Sequence, residues 1–562
     1  MKKYSKILIL IFVILAIVLF AIFGITTLLG LFSEKHEKGF LSSTALKVDV
    51  YDEEYQKVGS YVRGTPIEIY EKEYPNENIT YKKISLKGKK YYVQDTYVTT
   101  DKNKIVAEEV VYVRTNAVLY FDTNKPNILA SIKKGTALKI IGYHTLNEDG
   151  SVDQYKIQYS DKQTGYIYAK YVVLKESEAL ENYNENGVYD IHKERTDRFG
   201  GGSAASLDYY KEDKIKIKGN TMPKEARTLY INGSSVKRMG DYIEFAKQNN
   251  INAFVIDIKE NTIPAYASPV MKELSPSNYA KAVNTLEDYR SFVKEAKDAG
   301  IYLIGRITTF KDQYYAIDHN ENAILDTRNN KPFSHNSSYW PTPYSREVWE
   351  YNVKIAVEAV KTFGFNEIQF DYVRFPDGTA SYEKSGAMDM RNLYNEEKAS
   401  AIQQFLMYAR DEIHKVGAYI SADVFGESAN NYVTAYGQYW PAISNVVDVI
   451  SAMPYPDHFN KNDYGFTMPV WTVPYQLLKT WGGYAFERQK ETPSPAIVRT
   501  WIQAYNTIHE PYIVYDADKI SEQIKGLYES GLTGGYITWN ASSSLDKYKQ
   551  IAPAFRKDYL NG

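Results

Sequence analysis

From residue 225 to 560 the chain alternates short runs of β-branched and aromatic residues with longer stretches of helical periodicity. This order predicts β/α units with parallel strands. Eight strands are predicted: TLYINGS from Thr228, AFVIDIKE from Ala253, YLIGRITT from Tyr302, EIQFDYVRF from Glu367, YISADVFG from Tyr419, VVDVISAMPY from Val446, IVRTWIQAY from Ile497 and GYITWNAS from Gly535. Eight strands alternating with helices over roughly 335 residues predict an α/β fold of the (β/α)8 TIM-barrel type.

A doubly wound open sheet is the alternative fold for this pattern. It would usually carry a glycine-rich phosphate loop after its first strand, but residues 232–235 read NGSS. The SGLTGG run at 530–535 precedes the last strand, where it predicts a helix-ending turn. We therefore expect the barrel.

Near the N-terminus, an uncharged apolar run extends from residue 7 to 32. About 20 such residues suffice to cross a bilayer as a helix. Three lysines precede the run, so the positive-inside rule places residues 1–6 in the cytoplasm. A cleaved signal peptide is the alternative, although its apolar region would be about 7 to 15 residues long. We expect an uncleaved signal anchor over 7–32, a single-pass location in the cell membrane, and the bulk of the chain outside.

Two segments before residue 175 repeat each other. VGSYVRGTPIEI at 58–69 is echoed by LASIKKGTALKI at 129–140, and YVQDTYV at 92–98 by YIYAKYV at 166–172. Short, strand-rich, turn-punctuated units predict two small all-β barrels, over 45–105 and 108–175.

These units resemble bacterial SH3-like domains, in which a Gly-Tyr-φ-x-x-x-Tyr-φ ending is common. Residues 165–172 fit this ending, and the first copy has Lys90-Tyr91 before Tyr92. The resemblance implies modules that bind cell-wall glycan or peptide, and inert spacers are the alternative. Residues 176–224 are polar, with glycines at 200–202, and predict a linker with a flexible joint before a barrel domain over 225–560.

Composition excludes several classes of function. With 67 basic and 69 acidic residues the net charge is −2, so nucleic acid is not an expected partner. The absence of cysteine excludes disulfides, thiolate catalysis and cysteine-ligated zinc. The 52 tyrosines suit polar ligands such as sugars. The eight histidines form no H-x-x-x-H pair, so neither a metal site nor a cofactor is predicted.

In parallel barrels the reactive groups lie where the strands end, so polar residues at these positions are candidate site residues. Period-two alternation places Gln369, Asp371 and Val373 on one face of the fourth strand, directed at the barrel mouth, and Tyr372 on the other. Asp423 has the same position on the fifth strand. The residues predicted to bind substrate are Asp257, Glu260, Arg306, Arg374, Glu427, Tyr455, Gln503, Trp539 and Asn540.

Asp371 and Asp423 are the predicted catalytic residues. Glycoside hydrolysis uses one protonated carboxyl to aid the leaving group and one ionised carboxylate to attack or to activate water. Neighbouring strands lie about 4.8 Å apart, and retaining enzymes separate their carboxyls by roughly 5 to 5.5 Å. Burial and mutual repulsion would raise one of the two pKa values. The alternative is a structural ion pair, such as Asp371 with Arg374 or Asp257 with Lys259.

Four motifs resemble a bacterial family of glycoside hydrolase-like TIM barrels, formerly called a domain of unknown function. They are VIDIK from Val255, IQFDYVRFP from Ile368, SADVFG from Ser421 and MPYPDHF from Met453, and the resemblance covers roughly 225–555. It implies a hydrolase-like fold with the strand-four aspartate, here Asp371, in the site. The sixth-strand motif departs from the family's usual form, which has an extra residue after Met-Pro or a differently ordered Pro-Met, and this bears on the role of Tyr455.

We therefore expect a cell-surface glycoside hydrolase that cleaves or remodels an extracellular or cell-wall polysaccharide. Two alternatives stay open. One is a catalytically silent protein that binds glycan or tethers the wall. The other is a metal-dependent polysaccharide deacetylase, which the scattered histidines do not favour.

Overall fold

The computed structural model describes residues 14, 17–18, 35–106, 108–195 and 199–560. The chain divides into two compact units. One comprises Met1–Tyr112 and Thr136–Glu176, and the other comprises Val113–Gly135 and Ser177–Gly562.

The first unit is rich in β-strands, as the sequence predicts. Seven strands form one sheet: His36–Leu41, Lys47–Tyr51, Lys57–Val62, Pro66–Asn76, Ile79–Leu86, Lys89–Gln94 and Val98–Thr99. Alternate residues of these strands, among them Val50, Ile84 and Val93, are fully buried in one small core. Later strands of the chain are Val110–Val113, Ala137–Tyr143, Gln154–Ser160, Gln163–Tyr168 and Val172–Val173.

The repeated sequence segments adopt repeated local structures. Each Gly-Thr turn places its glycine in the left-handed region, with φ of 82° at Gly64 and 83° at Gly135, where a side chain would be strained. Each YVQDTYV-type segment runs from a strand through a single 3-10 turn, Asp95–Tyr97 or Ala169–Tyr171, into a two-residue strand. The internal repeat is therefore present in the local structure as well as in the sequence.

The second unit contains a parallel, nearly closed barrel, which confirms the predicted α/β barrel. Its strands, β1 to β8, are Ala226–Ile231, Ala253–Glu260, Tyr302–Thr308, Glu367–Asp371, Tyr419–Phe425, Val449–Met453, Ile497–Val498 continued by Thr500–Gln503, and Gly535–Trp539. The first part of β7 pairs with β6 and its second part pairs with β8, while β8 pairs with β1. The two parts of β7, on either side of Arg499, thus pair with the strands on both sides of the nearly closed barrel.

One main helix follows each strand. These helices, α1 to α8, are Met239–Gln248, Leu286–Asp298, Arg346–Phe363, Lys398–Lys415, Trp440–Val446, Pro474–Lys490, Ala517–Glu529 and Leu545–Phe555. Side chains of Thr285, Ser345, Asp516 and Ser544 accept hydrogen bonds from first-turn amides of α2, α3, α7 and α8. On α2 the buried residues Tyr289, Val293 and Ala296 recur at helical spacing, which directs one face onto the barrel.

Short elements complete the second unit. Its further helices are Val188–Lys193, Pro269–Leu274, Pro276–Ala280, Gln313–Asp318 and Ala380–Lys384, and Glu176–Leu180 precedes them across the unit boundary. Its further strands are Ala117–Asp122, Asn127–Ile132, Ile263–Pro264, Leu325–Asp326, Lys331–Pro332, Ser334–His335, Ser338–Tyr339 and Met388–Asp389.

The segment predicted as a linker contacts the barrel. Arg195 donates to both carboxylate oxygens of Glu491 at 2.5 and 2.6 Å, and Tyr209 is fully buried. Gly201 approaches so closely that a Cβ there would lie 1.9 Å from the carbonyl oxygen of Thr434. Residues 196–198 of the predicted linker lie outside the described residues. A Cβ at Gly202 would likewise lie 2.6 Å from Glu397 Cβ, so Gly201 and Gly202 allow close packing.

The predicted signal anchor and single-pass location in the cell membrane are corrected. Within the part of the chain that the structure describes, no helix is long and apolar enough to cross a bilayer. The longest described helices, α3 and α4, have 18 residues each and carry charged side chains along their length. The predicted segment 7–32 itself lies outside the described residues, apart from Ile14, Ile17 and Val18.

A fully buried ion pair crosses the interior of the barrel. Nη1 of Arg499 donates to both carboxylate oxygens of Glu367, at 2.9 and 3.0 Å, and the Tyr302 hydroxyl donates to Glu367 at 3.1 Å. Both charged side chains are 0% exposed. Removing one partner of such a pair leaves an uncompensated buried charge.

We therefore expect Glu367→Gln to lower the free energy of unfolding by about 3 kcal/mol. Chemical denaturation followed by tryptophan fluorescence measures this, because all seven tryptophans lie in the barrel domain. The control is Glu487→Gln, which opens an exposed pair with Lys490 and should change stability by less than about 0.5 kcal/mol. Equal effects of the two substitutions would contradict the prediction.

Candidate active site

The guanidinium of Arg306, on β3, contacts three carboxylates at the mouth of the barrel. Its Nη1 donates to Asp257 Oδ1 at 2.8 Å and to Glu260 Oε2 at 2.6 Å. Its Nε and Nη2 donate to Asp371 Oδ2 at 3.1 and 2.6 Å. Strand register brings these groups together, because Asp257 pairs with Arg306 between β2 and β3, and Thr308 pairs with Asp371 between β3 and β4.

The structural ion pairs considered from the sequence are formed by other partners. Arg374 pairs with Asp377 at 3.0 Å, not with Asp371. Lys259 pairs with Asp312 at 2.5 Å in a fully enclosed position, not with Asp257. Asp257 and Asp371 both pair with Arg306 instead.

The end of β4 fixes the position of Asp371. The predicted strand continues to Phe375, but the observed strand ends at Asp371, and Tyr372 has a φ of 50°. A non-glycine residue in this region is uncommon. The turn lets the Tyr372 amide donate to Asp371 Oδ1 at 2.6 Å. The predicted alternation stops there, so Tyr372 lines the cavity although the sequence pattern places it on the opposite face.

A cavity of about 420 Å³ lies over this cluster. Seven of the predicted site residues line it: Asp257, Glu260, Arg306, Asp371, Arg374, Tyr455 and Trp539. The rings of Tyr455 and Trp539 stack at a centroid distance of 6.4 Å, and Tyr230 contacts Trp539 at 4.7 Å. The cavity therefore has a charged floor, formed by Arg306 and the carboxylates it contacts, and an aromatic wall, formed by Tyr230, Tyr455 and Trp539.

Four predicted site residues lie outside the lining of this cavity. Asp423 is buried behind it, where Trp501 Nε1 donates to its Oδ1 at 2.8 Å. Glu427 lines a neighbouring cavity. Gln503 is fully buried and accepts from the Asp457 amide at 3.1 Å. Asn540 is buried and accepts from the Ser542 hydroxyl at 2.8 Å.

Burial and neighbouring charges give the carboxyls different protonation properties. Burial, reinforced by the charge of Asp371, raises the pKa of Asp423 well above its usual range. Burial raises the pKa of Asp257 to about 6, although the charge of Arg306 opposes this. Burial also acts to raise the pKa of Glu260, but the charge and hydrogen bond of Arg306 outweigh it and lower that pKa. One cluster thus holds both a proton-retaining carboxyl and an ionised one.

Eleven of the lining residues are not among the predicted site residues, and they include Tyr230, Tyr372, His458 and Trp501. The Tyr230 hydroxyl donates to Asp257 Oδ2 at 2.6 Å, so it shares that carboxylate with Arg306. Tyr230 lies on β1 before its last residue, and this position could have marked it as a candidate. Within the described ranges, no group of three or more histidine and carboxylate side chains is arranged to hold a metal ion.

An eight-stranded β/α barrel with charged groups at the strand ends defines a TIM-barrel domain whose site lies at the barrel mouth. The model of a family described as "putative glycosyl hydrolase domain" matches residues 228–545. Because this match covers more than half of the chain, the chain belongs to that family. Membership supports a function in processing glycans.

Solved structures resemble parts of the chain. A hypothetical protein from Ruminiclostridium thermocellum is 33% identical over 35% of this chain and 97% of its own, with a TM-score of 0.29. The glycoside hydrolase domain of PgaB (BpsB) from Bordetella bronchiseptica is 12% identical over 59% and 98%, with a TM-score of 0.43. A chitobiase from Flavobacterium johnsoniae is 12% identical over 59% and 48%, with a TM-score of 0.38. The curated protein sequences contain no match.

The raised pKa of Asp423 predicts a specific dependence of stability on pH. Its contribution to stability is fully present below the unfolded pKa of about 3.9 and is lost as pH rises towards the folded pKa. Asp423→Asn keeps the shape of the protonated acid without this loss. We expect the unfolding free energy of the variant, relative to the original chain, to rise with pH above about 4, by at most about 1.4 kcal/mol per pH unit.

Chemical denaturation between pH 5 and 8 checks this, with Asp326→Asn as the matched control. The hydrogen bond from Arg328 lowers the pKa of Asp326 to about 2. Its contribution is therefore lost only as pH falls through that range, and the control difference should be flat in the measured window. A flat difference for Asp423→Asn as well would show that the folded protein ionises Asp423.

Proposed function

We propose that the barrel hydrolyses O-glycosyl bonds in an extracellular or cell-wall polysaccharide. The observation that carries this proposal is the placement of Asp371, held by the Arg306 guanidinium, beside the buried Asp423, whose pKa is raised by burial. Register pairs Phe370 on β4 with Ala422 on β5, so Asp371 and Asp423 follow side by side. Glycoside hydrolysis requires one protonated carboxyl, which acts as the acid, and one ionised carboxylate, which acts as the nucleophile or base.

Asp371 is the proposed nucleophile or base. Its side chain is 8% exposed and lines the cavity, and Arg306 holds its Oδ2 through two hydrogen bonds. This fixed carboxylate can either attack the anomeric carbon or orient a water molecule for attack. Oδ1 is held by the Tyr372 amide, so both oxygens have defined positions.

Asp423 is the proposed acid. Trp501 holds its Oδ1, whereas Oδ2 is buried and has no hydrogen-bond partner among the described residues. The alternative acid, Asp257, accepts hydrogen bonds at both oxygens, from Arg306 and Tyr230, and is held as an acceptor. Because Asp423 does not line the cavity, we infer that substrate displaces the Trp501 ring, which does line it, to reach the proton.

The aromatic wall supplies a surface for sugar rings. Tyr455 and Trp539 are proposed to pack against a pyranose, because flat apolar faces suit the C–H face of a sugar and exclude water. Arg306 lies 5.6 Å from the Trp539 ring centroid, so the aromatic wall directly adjoins the charged floor and a sugar packed on this wall would lie beside the carboxylates.

A catalytically silent glycan-binding site is the second candidate. It is favoured by the state of Asp371, whose two oxygens already accept hydrogen bonds from Arg306 and the Tyr372 amide. A carboxylate satisfied in this way can bind sugar hydroxyls without attacking them. Binding without release of reducing ends would identify this function.

The β-rich region before the barrel is proposed to comprise two SH3-like modules, over 45–105 and 108–175. The repeated left-handed glycine turns at Gly64 and Gly135 and the repeated single 3-10 turns support this assignment. The proposed role of these modules is to bind wall glycan or peptide.

We expect Asp371→Asn to lower the release of reducing ends by about 10²- to 10⁴-fold, because the reaction loses its ionised carboxylate. The full chain is incubated with purified wall and secreted polysaccharides, and new reducing ends are measured. Asp326→Asn, an Asp-to-Asn change at a residue that does not line the cavity, should retain activity within about twofold. Unchanged activity in a folded Asp371→Asn variant would refute this assignment.

A further inference from the structure

A second cavity, of about 700 Å³, adjoins the first at the barrel mouth. Phe425, Met453 and His458 line both cavities, so the two form one continuous cleft. The loops that follow β5 and β6 meet here because Gly426 allows it: a Cβ there would lie 3.0 Å from the Phe459 ring and from Pro454 Cα. The cleft therefore has room for sugar units beyond the one at Asp371.

The walls of the second cavity are aromatic. Tyr464 makes edge contacts with Phe459, at a centroid distance of 5.5 Å, and with Tyr484, at 5.3 Å. Tyr484 is 45% exposed, so much of its side chain faces solvent, and Tyr432 lines the same space. Rings in this arrangement can hold a pyranose through its apolar face.

Acidic side chains outnumber basic ones in the lining of the second cavity. Glu427, Asp457 and Asp463 line it, and among the described lining residues there is no lysine or arginine. The lining has two histidines, His458 and His509, against these three carboxylates, and burial lowers the pKa of His458, which favours its neutral imidazole. In the first cavity, by contrast, Arg306 offsets the carboxylates.

Two of these carboxylates are positioned by tyrosine hydroxyls. Glu427 accepts from Tyr436 at 2.8 Å and from Tyr432 at 3.2 Å, one at each oxygen. Asp457 has a fully buried side chain and accepts from Tyr505 at 2.8 Å through Oδ1. Its Oδ2 has no hydrogen-bond partner in the part of the chain that the structure describes. The cavity thus holds fixed acceptors and an unmatched negative charge.

We infer that this second cavity is a subsite for a sugar unit that carries a protonated amine. An ammonium group supplies three donors and the positive charge that the lining lacks, whereas a neutral hydroxyl supplies no charge. The polysaccharide would then be one with free amino groups. This inference rests on the proposed function in one respect, namely that one glycan chain occupies both cavities.

The test is binding of oligosaccharides to the full chain with Asp371→Asn, measured by titration calorimetry without turnover. The probes are a glucosamine hexasaccharide, its fully N-acetylated counterpart and a neutral glucose hexasaccharide. We expect the glucosamine probe to bind about tenfold more tightly than the others, and less tightly as salt rises.

Added to this background, Glu427→Gln and Asp463→Asn should each weaken binding of the glucosamine probe by about fivefold and that of the neutral probes by less than twofold. Glu487→Gln, an exposed change on α6 outside the cleft, is the matched control and should alter none of the affinities. Equal affinities for the three probes, or unchanged affinities in both cleft variants, would overturn the inference.

The outcome can be separated from that of the proposed hydrolysis. Selective binding of the glucosamine probe, with no reducing ends from any glycan, would leave this subsite standing and refute hydrolysis. Release of reducing ends from neutral glycans, with no effect of Glu427→Gln on any affinity, would support hydrolysis and refute the amine subsite.

Discussion

The site depends on one buried cation. Asp257, Glu260 and Asp371 come from two strands that flank Arg306, and three carboxylates at this depth would repel one another without it. The planar guanidinium offers separate N–H groups to each, which a lysine ammonium on a flexible stem could not do with fixed geometry. Arg306 therefore holds Asp371 in position through two hydrogen bonds.

The same interaction gives the two neighbouring aspartates different hydrogen-bond partners. Asp371 shares hydrogen bonds with Arg306, whereas Asp423, the next residue across the sheet, receives its hydrogen bond from the Trp501 indole. Burial without a direct cationic partner favours the protonated carboxyl, and the adjacent negative charge strengthens that preference. The proposed nucleophile and the proposed acid are therefore identical side chains on adjacent strands in different surroundings.

The sequence predicts the barrel well because buried parallel strands are short apolar runs between amphipathic helices. It predicts the strand ends less well. Tyr372 and Val373 continue the apolar pattern of β4, but the left-handed turn at Tyr372 ends the strand, and no local signal marks that turn. The ion-pair partner of each carboxylate cannot be predicted from the sequence either. Arg306 is distant in sequence, while the nearer Arg374 and Lys259 pair with Asp377 and Asp312. The partner of each site carboxylate is therefore decided only when the strand ends come together at the mouth of the folded barrel.

The inward face of β4 links the mouth of the barrel to its base. Glu367, Gln369 and Asp371 alternate along this face, and each contacts a polar group from a different strand: Arg499 on β7, Ser451 on β6 and Arg306 on β3. A shift of one residue in register would turn this polar row outward and place Ile368 and Phe370 in the interior. Pairing at the base therefore helps to fix the height at which Asp371 meets Arg306, so the geometry of the site is a consequence of strand register.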